Sequence, residues 1–242
     1  MRPSSHQRKP HAEAFERDGY CVVERLLSKA ECETYKQEAH RVVREHAPRR
    51  RSVYVGVSVV SSLFRALSDD HRLVGILEEL MPDGVMFMSD KTVIKSGRQR
   101  YASPWHIDAF YWPNTRGKVS IWIPLDDARE DNGTLKVVRG SHRIDWQATR
   151  GDTQQTNDEF ENVIGKERGW RAEDEVTCSL PRGSAVFFSD RLVHGSSPSH
   201  TGADRYVWIS TYHAACADEP FDLQFAARHV IVPAPRGRPS AA

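Results

Sequence analysis

Pro104-Trp105-His106-Ile107-Asp108 sets a histidine and an aspartate two residues apart inside an apolar, aromatic run. In an extended chain alternate side chains share a face. His106 and Asp108 would then aim an imidazole and a carboxylate at one point, with Ile107 turned away. The surrounding sequence supports an extended reading. From Gly84 onward, short apolar or alternating runs are separated by turn residues, at 85–94, 105–111, 119–125, 134–138, 175–179, 185–188, 205–213 and 230–232. Several short strands at such spacing suggest a sandwich or barrel. Asn132-Gly133 is a strong turn signal between two of them.

Upstream of Gly84 the pattern is largely helical. Residues 12–18 form a short helical candidate ended by Gly19, and residues 20–23 read as a strand. Ser28 with Glu31 makes a capping box, and Tyr35, Ala39, Val42 and Val43 then recur at helical spacing. A second helix is expected over 69–80, with Leu73, Ile76, Leu77 and Leu80 as its stripe and Pro82-Asp83-Gly84 as its stop. Helices first and strands afterwards argue for a mostly β protein, a jelly-roll core braced by N-terminal helices.

The chain has 242 residues and 39% hydrophobic content, enough for one full-sized domain over 1–242. Residues 1–10 and 234–242 are expected to be frayed ends, and the polar stretch 144–172 is a candidate active-site lid. With 34 Lys+Arg against 33 Asp+Glu, the chain lacks the basic field of a nucleic-acid binder. Arg49-Arg50-Arg51 is a local cluster that reads as a solvated loop. The 4 cysteines (Cys21, Cys32, Cys178, Cys216) form no CxxC pair and read as reduced thiols. No signal-peptide or membrane-spanning pattern is evident, so a cytoplasmic protein, monomeric or homodimeric, is expected.

His194 lies far downstream of Asp108 and could complete a facial triad from a neighbouring strand. Two histidines and one carboxylate, with open positions left over, suit a non-haem iron(II) oxygenase. Taken alone, His106 is equally compatible with a hydrogen-bonded core histidine. Arg205 begins the run Arg205-Tyr206-Val207-Trp208-Ile209-Ser210, where Arg205, Val207 and Ile209 share a face read as the interior. A buried arginine needs an anionic partner, and its planar fork matches a carboxylate such as the distal one of 2-oxoglutarate. An exposed arginine, or one paired with Asp190 or Asp204, is the competing interpretation.

Four stretches together resemble the phytanoyl-CoA dioxygenase family of 2-oxoglutarate-dependent oxygenases. They are Phe15-Glu16-Arg17-Asp18-Gly19-Tyr20; Pro104-Trp105-His106-Ile107-Asp108; Trp122-Ile123-Pro124-Leu125-Asp126-Asp127 running on through Asn132-Gly133 to Gly140-Ser141-His142-Arg143; and His194-Gly195-Ser196 with Arg205. The resemblance implies a double-stranded β-helix in which His106, Asp108 and His194 bind iron(II) and Arg205 binds the far carboxylate of 2-oxoglutarate. It implies that Ser196 and Trp122 line the same co-substrate site. Lys91 and Lys95 share a strand face where family members also contact the co-substrate, although exposed lysines on an edge strand would look the same. His142 is read as structural, closing a turn. Of the aromatic residues beside the HxD segment, Phe110 and Trp112 are candidates to wall a substrate pocket, as is Tyr54.

By the same resemblance, O2 and 2-oxoglutarate are consumed, succinate and CO2 are released, and a small-molecule C–H bond is hydroxylated. Asp108 stands where the family's halogenases lack a carboxylate, so halogenation is not expected. Desaturation, epimerisation or ring closure would use the same oxidising chemistry. The competing classes are a zinc or manganese cupin-type isomerase or hydrolase and a non-catalytic jelly roll; neither has a use for Arg205.

Overall fold

The computed structural model describes residues 10–47, 52–97, 101–146, 163–164, 169–215 and 225–235. Arg49-Arg50-Arg51, Cys216 and most of the expected lid and frayed ends lie outside these residues.

The helical part opens with α1 (Pro10–Asp18). Gly19 ends it at φ +85°, its N–H donating to Phe15 O at 2.8 Å. A Cβ at Gly19 would also sit 2.5 Å from His142 Nδ1. His142 closes this turn as read from the sequence, its Nε2 donating to Glu16 O at 3.1 Å. β1 (Tyr20–Val23) follows, then α2 (Lys29–His46), opened by the reciprocal Ser28–Glu31 capping box. Next come β2 (Val53–Val55) and the short α3 (Val57–Val60) and α4 (Ser62–Ser68), which the sequence pattern did not reveal. α5 (His71–Leu80) matches the expected second helix and buries Leu73, Ile76 and Leu77.

The strands are β3 (Val85–Lys95), β4 (Ser103–His106), β5 (Val119–Pro124), β6 (Leu135–Val138), β7 (Glu175–Thr177), β8 (Ala185–Ser189), β9 (His194–Ser196), β10 (Arg205–His213) and β11 (His229–Val232). They form two antiparallel sheets of a jelly roll. The seven-stranded sheet runs β1-β8-β5-β10-β3-β11 with β2 also on β3, and the four-stranded sheet runs β4-β9-β6-β7.

The two-residue side-chain period explains how the larger sheet serves two layers. Ile121, Ile123, Phe187, Tyr206 and Trp208 face the helices and join Tyr35, Phe64 and Leu77 in the main core. Their sequence neighbours Trp122, Val186, Phe188 and Val207 turn inward and pack on Leu135 and Val137 of the smaller sheet. β5 is consequently buried along its whole length.

Three expectations change. Residues 105–111 are not one strand: β4 stops at His106, and Asp108–Tyr111 is a 3-10 turn. Ala109 N–H donates to Asp190 O at 2.9 Å instead of continuing a ladder. Asn132-Gly133 does turn the chain between β5 and β6, but these strands belong to different sheets and form no hairpin; the Asn132 side chain accepts from Arg129 N and donates to Asp127 O. Finally, β3 is an interior strand, and Lys95 on it is 1% exposed, so the edge-lysine interpretation falls.

Candidate active site

His106 ends β4 and His194 starts β9, and the two are register partners in the smaller sheet. Ile107 stays extended at φ −123°, ψ 141°, so Asp108 returns to the side of His106 while Ile107 packs with Phe110, Val138 and Val193. The three donor atoms all lie within 4.8 Å of one another. Asp108 Oδ1 is 3.8 Å from Nε2 of both His106 and His194.

The imidazoles are fixed from behind. His106 Nδ1 donates to Pro104 O at 2.7 Å and His194 Nδ1 to Leu192 O at 3.0 Å, which fixes both rings with Nε2 turned toward Asp108. Burial, and then the nearby His194, push His106 down to about 3. It is a neutral imidazole, and its approach to Asp108 is not an ion pair. Burial pushes the Asp108 carboxyl up; His194, Lys91, His106 and the Ser120 hydroxyl outweigh it, so the group ionises below its ordinary value. Two imidazoles and one carboxylate converging from a buried floor fit a divalent iron.

Two braces escaped the sequence reading. The Ser141 hydroxyl accepts from Val193 N at 2.8 Å and holds the chain just ahead of His194. Its signal was the Gly140-Ser141-His142 stretch, where only the histidine drew attention. Asp190, pushed up to about 7 by burial, donates from its backbone N–H to Lys118 O and supports the Asp108 turn through its own carbonyl.

Beside the triad the interior divides into two compartments. The inner one, ≈ 90 Å³, is lined by Lys95, Trp122, Gly133, Ser196 and Arg205 together with the three candidate ligands. Arg205 is 3% exposed; its Nε donates to Asn132 O at 3.1 Å and its Nη2 to Gly133 O at 2.8 Å. Its Nη1 is buried without a partner. No pairing with Asp190 or Asp204 is formed. Burial pulls the guanidinium down to about 10, still fully cationic at neutral pH. Trp122 lies under it, ring centroid to Cζ 5.9 Å. Lys95 Nζ donates to Ser196 Oγ at 2.7 Å and to Ser197 O, and burial followed by the Arg205 charge pulls its pKa down to about 7. An orphaned guanidinium N–H and a lysine ammonium facing one cavity fit a carboxylate.

The outer compartment, ≈ 690 Å³ and open to solvent, is walled by Val53, Val55, Tyr111, Trp112, Ile209 and Phe225. Val53, Lys91, His106, Asp108 and Ile209 border both compartments. Of the three aromatic candidates, Trp112 lines the outer wall. Tyr54 and Phe110 do not. Alternation on β2 turns Val53 and Val55 to the cavity and Tyr54 to the helices, where it meets His46 with centroids 6.3 Å apart. Phe110, 3% exposed, is packed on Ile107 and Trp146 by the 3-10 turn.

A family model described as phytanoyl-CoA dioxygenase matches residues 15–207. The chain belongs to the phytanoyl-CoA dioxygenase family. As a member it is an iron(II)- and 2-oxoglutarate-dependent oxygenase, with O2 as the other co-substrate. It is 26% identical to the L-proline trans-4-hydroxylase of Streptomyces griseoviridis, over 82% of this chain and 84% of that protein. It is 28% identical to the ectoine dioxygenase of Nocardia farcinica, over 77% and 71% respectively. The family fold is matched by the epimerase SnoN in complex with Fe3+, alpha ketoglutarate and nogalamycin RO, with TM-score 0.72 and 22% identity over 87% of this chain and 85% of SnoN. EctD from S. alaskensis in its apoform gives TM-score 0.72 and 21% identity over 91% and 82%.

Proposed function

We propose that this family member hydroxylates an unactivated C–H bond of a small molecule, with His106, Asp108 and His194 as iron ligands and Arg205, Lys95, Ser196 and Trp122 as the 2-oxoglutarate pocket. When bound, iron(II) with 2-oxoglutarate supplies an O2-derived oxidant strong enough for such a bond and releases succinate and CO2. The chain supplies the rest. His106 and His194 present Nε2 because their Nδ1 protons are committed to backbone carbonyls. Asp108 keeps its charge against burial. Arg205 and Lys95 orient the co-substrate from its far end, and the apolar part of the outer wall offers a surface for the substrate body beside the triad. Free, buried thiols at Cys21, Cys32 and Cys178 support work in a reducing cytoplasm.

The single observation that carries this reading is the unpaired Nη1 of buried Arg205 in the same cavity as the triad. A cupin-type isomerase or a non-catalytic jelly roll would have no reason to keep an unmatched guanidinium there.

The test is anaerobic. Iron(II) and 2-oxoglutarate added to the metal-free protein should give a weak visible band near ~500 nm. Asp108→Ala and Arg205→Ala should both weaken it. Iron binding without a band would refute the co-substrate assignment. Product mass then separates outcomes: one oxygen gained for hydroxylation, two hydrogens lost for desaturation or ring closure, no change for epimerisation.

A further inference from the structure

β3 projects Ser89, Lys91, Val93 and Lys95 toward the interior, while Asp90 on its other face is tied to Ser58 and Trp208 beneath the helices. The two lysines stand in different surroundings. Lys95 is buried in the inner compartment, where two of its three N–H groups go to Ser196 and Ser197. Lys91 is half-buried, at the junction of the two compartments, between Val55 of β2 and Ile209 of β10. No hydrogen bond or ion pair with a described residue engages its ammonium. Its charge is felt at both His106 and Asp108, so it stands close to the candidate metal position.

Charge balance separates the roles of these cations. A 2-oxoglutarate dianion is matched by Arg205 and Lys95 alone. A divalent iron exceeds the single charge of Asp108. Lys91 therefore adds a positive charge that nothing in the inner compartment needs. It faces an outer cavity walled by Val53, Val55, Tyr111 and Trp112.

We infer that Lys91 is a substrate-binding residue and that the substrate is a compact monocarboxylate whose apolar body lies against Trp112 and Val55. One lysine is a point charge, suited to a single carboxylate rather than a polyphosphate. Docking the acid group at Lys91, beside the triad, places the carbons near that group over the metal position and makes them the ones oxidised. This inference rests on the oxygenase reading for what happens to the substrate, but not for what binds.

The test uses two matched pairs, L-proline with L-prolinamide and phenylacetate with phenylacetamide, on protein carrying iron(II) and 2-oxoglutarate. Binding is read anaerobically from tryptophan fluorescence, and coupling aerobically from succinate release. For at least one pair, the carboxylate should bind about tenfold or more tighter than its amide, the worth of one charge-assisted hydrogen bond. Lys91→Met should abolish that preference and keep the visible band at wild-type strength, and Lys91→Arg should retain the preference within a few-fold. The inference is overturned if neither carboxylate outbinds its amide, if the preference survives Lys91→Met, or if Lys91→Met loses the band, since Lys91 would then hold the co-substrate. A wild-type protein that prefers carboxylates without showing a band keeps the inference and sinks the co-substrate reading instead.

Discussion

Replacing Arg205 by Met should abolish most of the stabilisation that 2-oxoglutarate confers while leaving the ligand-free protein nearly as stable as before. The guanidinium is buried, with two of its nitrogens on Asn132 O and Gly133 O and the third unpaired. Removing it strands two carbonyls, a loss of about 1–3 kcal/mol each, but relieves a desolvated charge that itself costs several. The two nearly offset, and the net change in the ligand-free protein should stay within about 2 kcal/mol. The ligand-bound state has no such offset. One to two charge-assisted bonds to the far carboxylate are lost, about 3 kcal/mol, or on the order of a hundredfold in Kd. Thermal unfolding with nickel(II) as a non-turnover metal reads both quantities. At a 2-oxoglutarate concentration about a hundred times the wild-type Kd, the wild type gains about 2.7 kcal/mol and the variant about 0.4. For a chain of this size that is a rise of roughly 5–11 °C against about 1–2 °C. An equal rise in both proteins would refute the placement of the co-substrate. Arg205→Lys, which keeps the charge and loses the fork, should fall between them.

Lys95 gives two opposite pH dependences. With its pKa pulled down to about 7 from an ordinary 10.5, the folded ligand-free protein binds fewer protons than the unfolded chain between those values, so its stability should rise with pH across that window. Affinity for 2-oxoglutarate should instead fall as pH climbs past 7 and the ammonium is lost; Lys95→Met should flatten both curves in calorimetric titrations. Gly133→Ala should destabilise by about 1–3 kcal/mol and raise the KM for 2-oxoglutarate, because φ is +82° and the new Cβ would lie 2.7 Å from both Lys95 Cδ and Ser197 O; unchanged kinetics would contradict the cradle. Ser120→Ala removes a hydroxyl that favours ionised Asp108 and should weaken metal affinity about 10–100-fold in a competition titration, with the melting temperature little altered. Ser28→Ala should lower stability by about 1 kcal/mol through the lost α2 cap, with catalysis untouched.

The parts of this molecule that sequence made legible are those fixed by local chemistry. Ser28 with Glu31 is a cap wherever it occurs, and the 3.6-residue stripe of α5 needs only the chain itself. Two-residue alternation placed His106 with Asp108, and Arg205 with Ile209, on the correct faces even though β4 ends one residue after Trp105. What stayed hidden depends on partners remote in sequence. β2 is three residues long and exists because β3 lies beside it, so Tyr54 could be assigned to the wrong face. β9 contains Gly195, whose missing Cβ admits the Ser103 carbonyl, a contact no periodicity announces. Asn132-Gly133 signals a sharp turn equally well when the flanking strands go to separate sheets. Ser141 acts on His194 through Val193, across the full span from β6 to β9.

The division of labour between the two sheets has a consequence for which acids the pocket accepts. The candidate metal ligands His106 and His194 belong to the smaller sheet, and Arg205, Lys95 and Trp122 belong to the larger. A co-substrate held by both spans the gap between layers whose spacing is set by the packing of Trp122, Val186 and Val207 on Leu135 and Val137. The hydrophobic core therefore works as a calliper. With the co-substrate held as proposed, a keto diacid one methylene shorter or longer than 2-oxoglutarate should bind more weakly. Repacking Val137 or Val186, out of reach of any ligand, would alter the preferred chain length.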